Sequence, residues 1–484
     1  MRVAPLVLAV IATVSASRVF AQGPPPPPTA APQAARPLQM PQSLQTFLGG
    51  IPTGTASGDA ITITVVDAIT RALAHNLGVL TADENLGRAQ SARWLALSSL
   101  LPNVNARVSE TRQILDLEAF GFKGGPDSPF GNLPSLVGPF NVFDARVYLS
   151  QSIFDWNAIN NSRAESHGLA AARLMQRSAR DLVIHVAGNL YIQALAASAR
   201  ADSARAQEQT AQALFTQAQD LKNSGIIAGV EVLRAQVQLN TETQRVTSTA
   251  NEFEKAKLQL ARVIGLPLGQ KFNLDPNLPP LPDPDLPFEQ TVERAFQQRP
   301  DYQAALERVQ AAEAVRRAAV GEALPSARVN ADYGAIGLTP SGAQNTYAVS
   351  GVLNVPIFQG GRTRGRILEA DADLRQRQAE ADDLKASIYY EVQTAYLDLK
   401  ATQQQLQVAQ RARDLAAQQL TQARDRFAAG VASNIEVVQA QEAVALANEQ
   451  FITAQFGYDL AKGALIRGVG ASQDVLRQIL GGTR

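Results

Sequence analysis

The chain of 484 residues balances 44 acidic against 44 basic side chains, is 6% aromatic and contains no cysteine. Zero net charge argues against nucleic acid as a partner. The missing thiols exclude disulfides, Cys-ligated metals, thiol catalysis and an N-terminal lipid on cysteine.

Arg2 precedes an apolar run from Val3 to Ala16, and Val19-Phe20-Ala21 places small residues where a signal peptidase reads. Residues 1–21 are therefore expected to be a signal peptide, with export of the remainder. The run is shorter than the ~20 apolar residues a spanning helix needs, and no later segment reads as one. Residues 22–60 follow as a linker whose consecutive prolines, Pro24 to Pro28, have no backbone N–H to donate. Ordered structure is expected from about Ile61.

From there the chain is two related halves, 61–266 and 288–471, joined by a Pro/Asp-rich linker at 267–287 and followed by a tail at 472–484. Gly225 to Gln236 aligns without a gap on Gly430 to Gln441, an offset of 205. In each copy an Ala/Gln-rich helical pattern reaches a Gly, turns through small residues and restarts with a Glu in its first turn, which reads as a helix-turn-helix tip made twice. Leu101-Pro102 matches Leu324-Pro325 at an offset of 223, Ile153-Phe154 matches Ile357-Phe358 at 204, and Tyr191 matches Tyr396 at 205.

Each half opens with a short helix, capped by Thr64 and Asp67 in the first copy, that breaks near Asn76 or at Arg299-Pro300. A second helix runs to the Leu-Pro pair. Two alternating segments follow. Ala327, Val329, Ala331 and Tyr333 fall opposite Arg328, Asn330 and Asp332, and Tyr347, Val349, Leu353 and Val355 alternate with Ala348, Ser350 and Asn354. In the first half Val104, Ala106 and Val108 alternate with Asn105, Arg107 and Ser109, and Val147 and Leu149 with Arg146, Tyr148 and Ser150. These predict one β-hairpin per half, about 103–154 and 326–358, with the residues from Glu118 to Asn141 as a long loop at its turn.

No proline interrupts the stretches that follow, so each half closes with a long helical hairpin, 157–264 and 362–467. The outgoing helix of each spans roughly 100 Å at 1.5 Å per residue. Ile388, Val392, Ala395, Leu399, Thr402, Leu406 and Ala409 alternate steps of three and four, the spacing of left-handed coiling. In the first copy the seam is mostly alanine.

Strands of about ten residues with one apolar and one polar face fit a transmembrane barrel, lipid outside and water inside. Four strands cannot close one, so more than one copy must contribute. The fold class expected is mixed α+β, a four-stranded contribution to a shared barrel plus a long tube of coiled helices.

The duplicated plan, the Leu-Pro before each hairpin, the Ile-Phe before each long helix and the Gly-x-x-x-x-x-Glu-Val tips resemble the outer-membrane efflux protein (TolC-type) family. The resemblance implies a homotrimer with a twelve-stranded barrel in outer-membrane lipid and a helical tube crossing the periplasm. The tube would be the exit duct of a tripartite efflux pump or type I secretion system. It further implies a periplasmic adaptor docked at the tips, around Gly225, Val230, Glu231, Val232, Gly430, Ser433, Ile435, Glu436 and Val437, with an inner-membrane transporter below. Acidic residues near the second tip constrict the entrance in this family, which makes Glu436, Gln439 and Glu231 constriction candidates. Both Glu residues also sit in a helix's first turn, and Ser433-x-x-Glu436 reads as a capping box, so helix-end stabilisation explains them without any role in gating.

No cofactor, metal or catalytic set emerges. His167 and His185 share a helix face but stand about 27 Å apart, too far to share a metal. A periplasmic coiled-coil scaffold or adhesin is the alternative; it accounts for the long helices but leaves the amphipathic hairpins without a role.

Overall fold

The computed structural model describes residues 46–122, 134–280, 287–429, 431 and 434–481. The expected signal peptide, most of the linker, and Gly430 and Ser433 at the second tip lie outside the described residues.

Strand β1 (Ile61–Ile63) leads into α1 (Val65–His75) and α2 (Leu77–Ser98). Thr64 and Asp67 form the expected capping box: the Asp67 N–H donates to Thr64 Oγ1 and the Thr64 N–H to Asp67 Oδ2, both at 3.1 Å. Helix α1 stops at Asn76, whose buried side chain then caps α2 by accepting from the Gly78 N–H at 2.8 Å. In the second half α5 (Phe288–Gln298) stops at Arg299 and α6 (Pro300–Gly321) starts on its proline, since the residue before proline is driven out of the helical region while proline suits a first turn.

Strands β2 (Asn103–Asp116), β3 (Leu136–Phe154), β5 (Ser326–Gly337) and β6 (Gln344–Asn354) form one antiparallel sheet in the order β2-β3-β5-β6. The two hairpins therefore join through β3 and β5. Strand β3, at 19 residues, exceeds the ten expected.

Helices α3 (Trp156–Asn223) and α7 (Arg362–Ala428) are the two long ones, returned by α4 (Gly229–Val263) and α8 (Asn434–Val469). Helix α3 packs on α2 and α4 of its own half and on α6 and α8 of the other; α7 packs on α6 and α8. One-piece helices thus alternate with two-piece columns in the order α2 with α4, α3, α6 with α8, α7. The end of α4 meets the break before α2 very closely. At Gly265, with φ +64, a Cβ would lie 2.6 Å from the His75 Cβ and 2.7 Å from the Ile51 carbonyl, so only glycine fits.

The cores repeat with the sequence. Ile69, Ala72, Val183, Ala187, Leu260 and Ile264 are buried in the first half, and Val292, Ala295, Ile388, Val392, Leu465 and Val469 occupy the equivalent core of the second. The alanine seam of α3 is buried at Ala187, Ala194, Ala197, Ala201, Ala204, Ala211 and Ala218. Small side chains there let backbones approach at native packing density.

Four expectations need correction. Ordered structure begins before Ile61: the Ile51 N–H donates to the His75 carbonyl at 2.9 Å and Gly50 bridges to Asn76, because two glycines can enter a gap too narrow for side chains. The inter-repeat linker contains a strand, β4 (Phe272–Leu274), which pairs in parallel with β1 just ahead of the prolines. The tail forms a helix, α9 (Ser472–Gly481), that packs on α3 and α8. Helix α3 also contains a window long and apolar enough to cross a membrane by length and composition alone.

Ile388 is fully buried at the centre of the second core. Ile388→Ala should destabilise the protein by about 2–5 kcal/mol, read as a lower midpoint in thermal or urea unfolding of the detergent-purified chain.

Candidate functional site

The sheet register puts like with like across all four strands. Val104, Leu149, Ala331 and Val349 form one row, and Ala106, Val147, Tyr333 and Tyr347 the next, all on one face. The opposite face carries the row Asn103, Ser150, Asn330 and Ser350, then Asn105, Tyr148, Asp332 and Ala348. The apolar face is open, with Val108 71% and Tyr347 76% exposed. On the polar face Arg146 donates to Asp144 at 2.8 Å and to Asp332 at 3.0 Å, and Ser150 Oγ donates to Asn330 Oδ1 at 2.9 Å. Among the described residues neither β2 nor β6 has a strand on its outer side.

At the first tip Gly225 has φ +76 and makes the turn between α3 and α4. Glu231 Oε1 accepts from Arg234 at 2.5 Å, a pairing one turn along the same helix. At the second tip Glu436 Oε2 lies 3.7 Å from Arg426 of α7 and the carboxylate is half exposed. Val232 and Val437 are buried, the first against Ala218 and Ala235, the second against Ala423 and Ala440. They pack inside their own tips. Val230, Leu233, Ile435 and Gln439 instead line a cleft of about 420 Å³ between α4 and α8. Of the predicted tip residues, the structure brings Val230, Ile435 and Gln439 into one surface.

Midway along the helices lies a polar cluster that no motif marks. Arg299, 5% exposed, donates to Asp301 at 2.7 Å and to Glu391 of α7 at 2.7 Å, and Arg467 of α8 donates to Glu391 at 2.6 Å. Nearby, the Gln473 side-chain amide donates to the Arg177 carbonyl of α3 at 3.1 Å, one turn before the buried Asp181. Burial raises the Asp181 carboxyl to about 6, with Asp474 and Asp301 adding to the effect. Burial lowers the His185 imidazole to about 4, and Arg467 lowers it further. The Arg299-Pro300 step is the only trace of this cluster in the sequence. His167 pairs with Glu307 across α3 and α6 at 2.7 Å. Among the described residues no three His, Asp or Glu side chains converge as a metal site.

Two repeats, each with one strand hairpin and one long helical hairpin, define a class of membrane ducts. The model of the outer membrane efflux protein family matches residues 68–266 and 291–471, and the chain belongs to that family. It is 23% identical over 412 residues to the pyoverdine export outer membrane protein OpmQ of Pseudomonas putida, covering 83% of this chain and 84% of that one. It is 22% identical to the alkaline protease secretion protein AprF of Pseudomonas aeruginosa, covering 66% of this chain and 68% of that one. Its fold is similar to the Campylobacter jejuni CmeC outer membrane channel, with a TM-score of 0.74 at 18% identity over 91% of this chain and 95% of that one. The protein is an outer-membrane exit duct.

The mid-level cluster sets a pH behaviour with two opposed parts. Asp181, raised to about 6, penalises the fold above that pH and is relieved as pH falls toward the unfolded value of 3.8. His185, lowered to about 4, resists the proton that the unfolded chain takes up at 6.5, so it removes stability as pH falls from 6.5 to 4. Each is worth on the order of 3 kcal/mol, and the two offset. Asp181→Asn should expose the histidine's share, with stability falling between pH 6.5 and 4 relative to the parent; His185→Gln should give the opposite slope. Unfolding midpoints across that range check both.

Proposed function

We propose that three copies of this chain assemble into one duct of a tripartite efflux pump or type I secretion system. Their sheets join edge to edge in a twelve-stranded barrel in outer-membrane lipid, and their helices continue as a tube through the periplasm. The observation that carries this reading is the shared face: four strands with one continuous apolar side, one polar side and two open edges. Open edges are not tolerated in hydrocarbon, where each unpaired backbone group costs several kcal/mol. Two copies would supply eight strands, a barrel whose side chains fill its own interior; three supply twelve and leave a lumen.

The helical edges support the same closure. The outer flank of α7 and the flank of α2 and α4 are left open at opposite sides of the protomer, a head-to-tail arrangement that closes as a ring. Val230, Ile435 and Gln439 in the cleft between α4 and α8 then form the docking surface for a periplasmic adaptor, with an inner-membrane transporter beyond it. The relatives named for pyoverdine export and for protease secretion support a passive duct whose cargo is chosen by its partners.

Spin labels test the barrel. A label at Val329 should report lipid and one at Asn330 water, since an Arg or Lys on the lipid face costs about 2–4 kcal/mol at mid-membrane; the reverse pattern sinks the reading. For the entrance, Glu436 is the more exposed of the two tip carboxylates and the less tightly paired. Glu436→Gln should lower cation preference in single-channel recordings of the reconstituted protein, and Glu231→Gln should change it less. Unchanged ion preference in both would reduce these residues to helix-end stabilisers.

A further inference from the structure

Where the two halves meet, a cavity of about 490 Å³ lies beside the helix breaks. Its walls come from α1, α3, α8, α9 and the stretch of chain at 276–280, and Leu278 and Phe456 at its margin pack on the core of the first half. No lining residue belongs to α2, α4 or α7, so the space is whole within one chain. Its volume is that of a small-molecule site.

Two glycines open it. Gly188 of α3 and Gly463 of α8 stand in the interior of long helices, where glycine costs stability because it has more backbone freedom to lose. Neither has the positive φ that demands glycine, and neither is forced by a close contact. A Cβ at Gly188 would meet nothing within 4 Å, and one at Gly463 only Asn189 Oδ1 at the ordinary distance of 3.7 Å. The repeat counterparts, 205 residues away, are Gln393 and Leu258. The cavity occupies the space that side chains at these two positions would otherwise fill.

The polar groups around it are acceptors in want of a donor. Asp459 of α8 is half-buried and makes no hydrogen bond or ion pair among the described residues. Its repeat counterpart Glu254 does reach a cation one turn along, Lys257 at 3.3 Å. Asp459 is one methylene shorter, and Lys462 Nζ lies over the Tyr458 ring instead, 4.5 Å from its centroid. Burial raises the Asp459 carboxyl, and the charge of Lys462 opposes that in part. Across from it, Asn189 commits its amide nitrogen to His185 Nε2 at 3.0 Å, which leaves Asn189 Oδ1 without a donor among the described residues. That oxygen lies against Gly463, one turn from Asp459. Burial lowers His185 to about 4, so at neutral pH its imidazole brings no positive charge to this wall. Ile184 and Phe456 supply the apolar and aromatic surface.

We propose that this cavity binds an organic monocation, an ammonium group on an apolar body, with the ammonium donating to Asp459 and Asn189 Oδ1 and the body lying against Ile184 and Phe456. A neutral guest would leave the carboxylate without a charged partner, and an anion would be repelled by it, whereas an ammonium makes the stronger, charge-assisted bond. The site does not depend on the assembly proposed above, because one chain supplies all of it. An occupant ties α3 to α8 beside the helix breaks and stabilises that level of the fold by mass action.

Phenethylammonium is the probe, with phenethyl alcohol as the same body without charge and hydrocinnamate as a similar body with the charge reversed. In the full-length protein purified in a non-ionic detergent, phenethylammonium should raise the thermal unfolding midpoint saturably. Its dissociation constant should be at least about tenfold below that of the alcohol, the ratio expected of one hydrogen bond to a charged group. Hydrocinnamate should bind most weakly of the three. Asp459→Asn should bring the amine to the level of the alcohol. Gly188→Leu, whose side chain enters the open space, should fold with an unliganded midpoint at or above the parent's and bind none of the probes. Amine binding that both variants retain, equal affinity for amine and alcohol in the parent, tightest binding of hydrocinnamate, or no saturable shift with any probe each overturns the proposal.

Discussion

The demand of backbone N–H and C=O groups for partners governs this molecule. A four-stranded sheet with open edges at β2 and β6 is tolerable in water and intolerable in hydrocarbon. Because α2 runs directly into β2, and β6 into α7, the open edges of the sheet continue as the open edges of the helical layer. Sheet and helical layer thus leave their edges open on the same two sides. Within the helical layer the burden falls on packing, and alanines along α3 allow the close approach that larger side chains would prevent.

Duplication preserved the apolar core and altered what holds the helix breaks. Val183 and Ile388, and Leu260 and Leu465, are equivalent and fully buried. At the first break Asn76 is neutral, Val186 stands where the second half has Glu391, and the segment through Gly50 and Ile51 closes the joint. At the second break no such segment intervenes among the described residues, and Arg299 bridges Asp301 and Glu391 instead. Removing one member of such a set leaves a buried charge unpaired, so the second joint tolerates substitution less than its uncharged counterpart.

How much of this is legible in the sequence depends on how local the signal is. Thr64 with Asp67, Asn76 and Pro300 act within one helical turn, and each can be read from its immediate neighbours in the chain. Alternation through Val329 and Tyr333 reveals the sheet faces, and the offsets of 204, 205 and 223 reveal the duplication. The contacts that escape such a reading span long stretches of chain. Gly50 against Gly265, β1 with β4, and Gln473 on Arg177 join residues without a shared period, and a polar side chain in a helical run reads as surface until a partner appears. Val232 and Val437 show the converse, since a motif places them at the tips but only packing shows that they face inward.

The arrangement of the joints has a mechanical consequence. Both two-piece columns are interrupted at the breaks after α1 and α5, while α3 and α7 run past them unbroken. Around these breaks lie the pieces of chain that belong to no column: the segment through Ile51, the strands β1 and β4, and α9. They pack at the level where the columns are broken. A twist applied at the helical tips therefore reaches these packed pieces of chain before it reaches the strands.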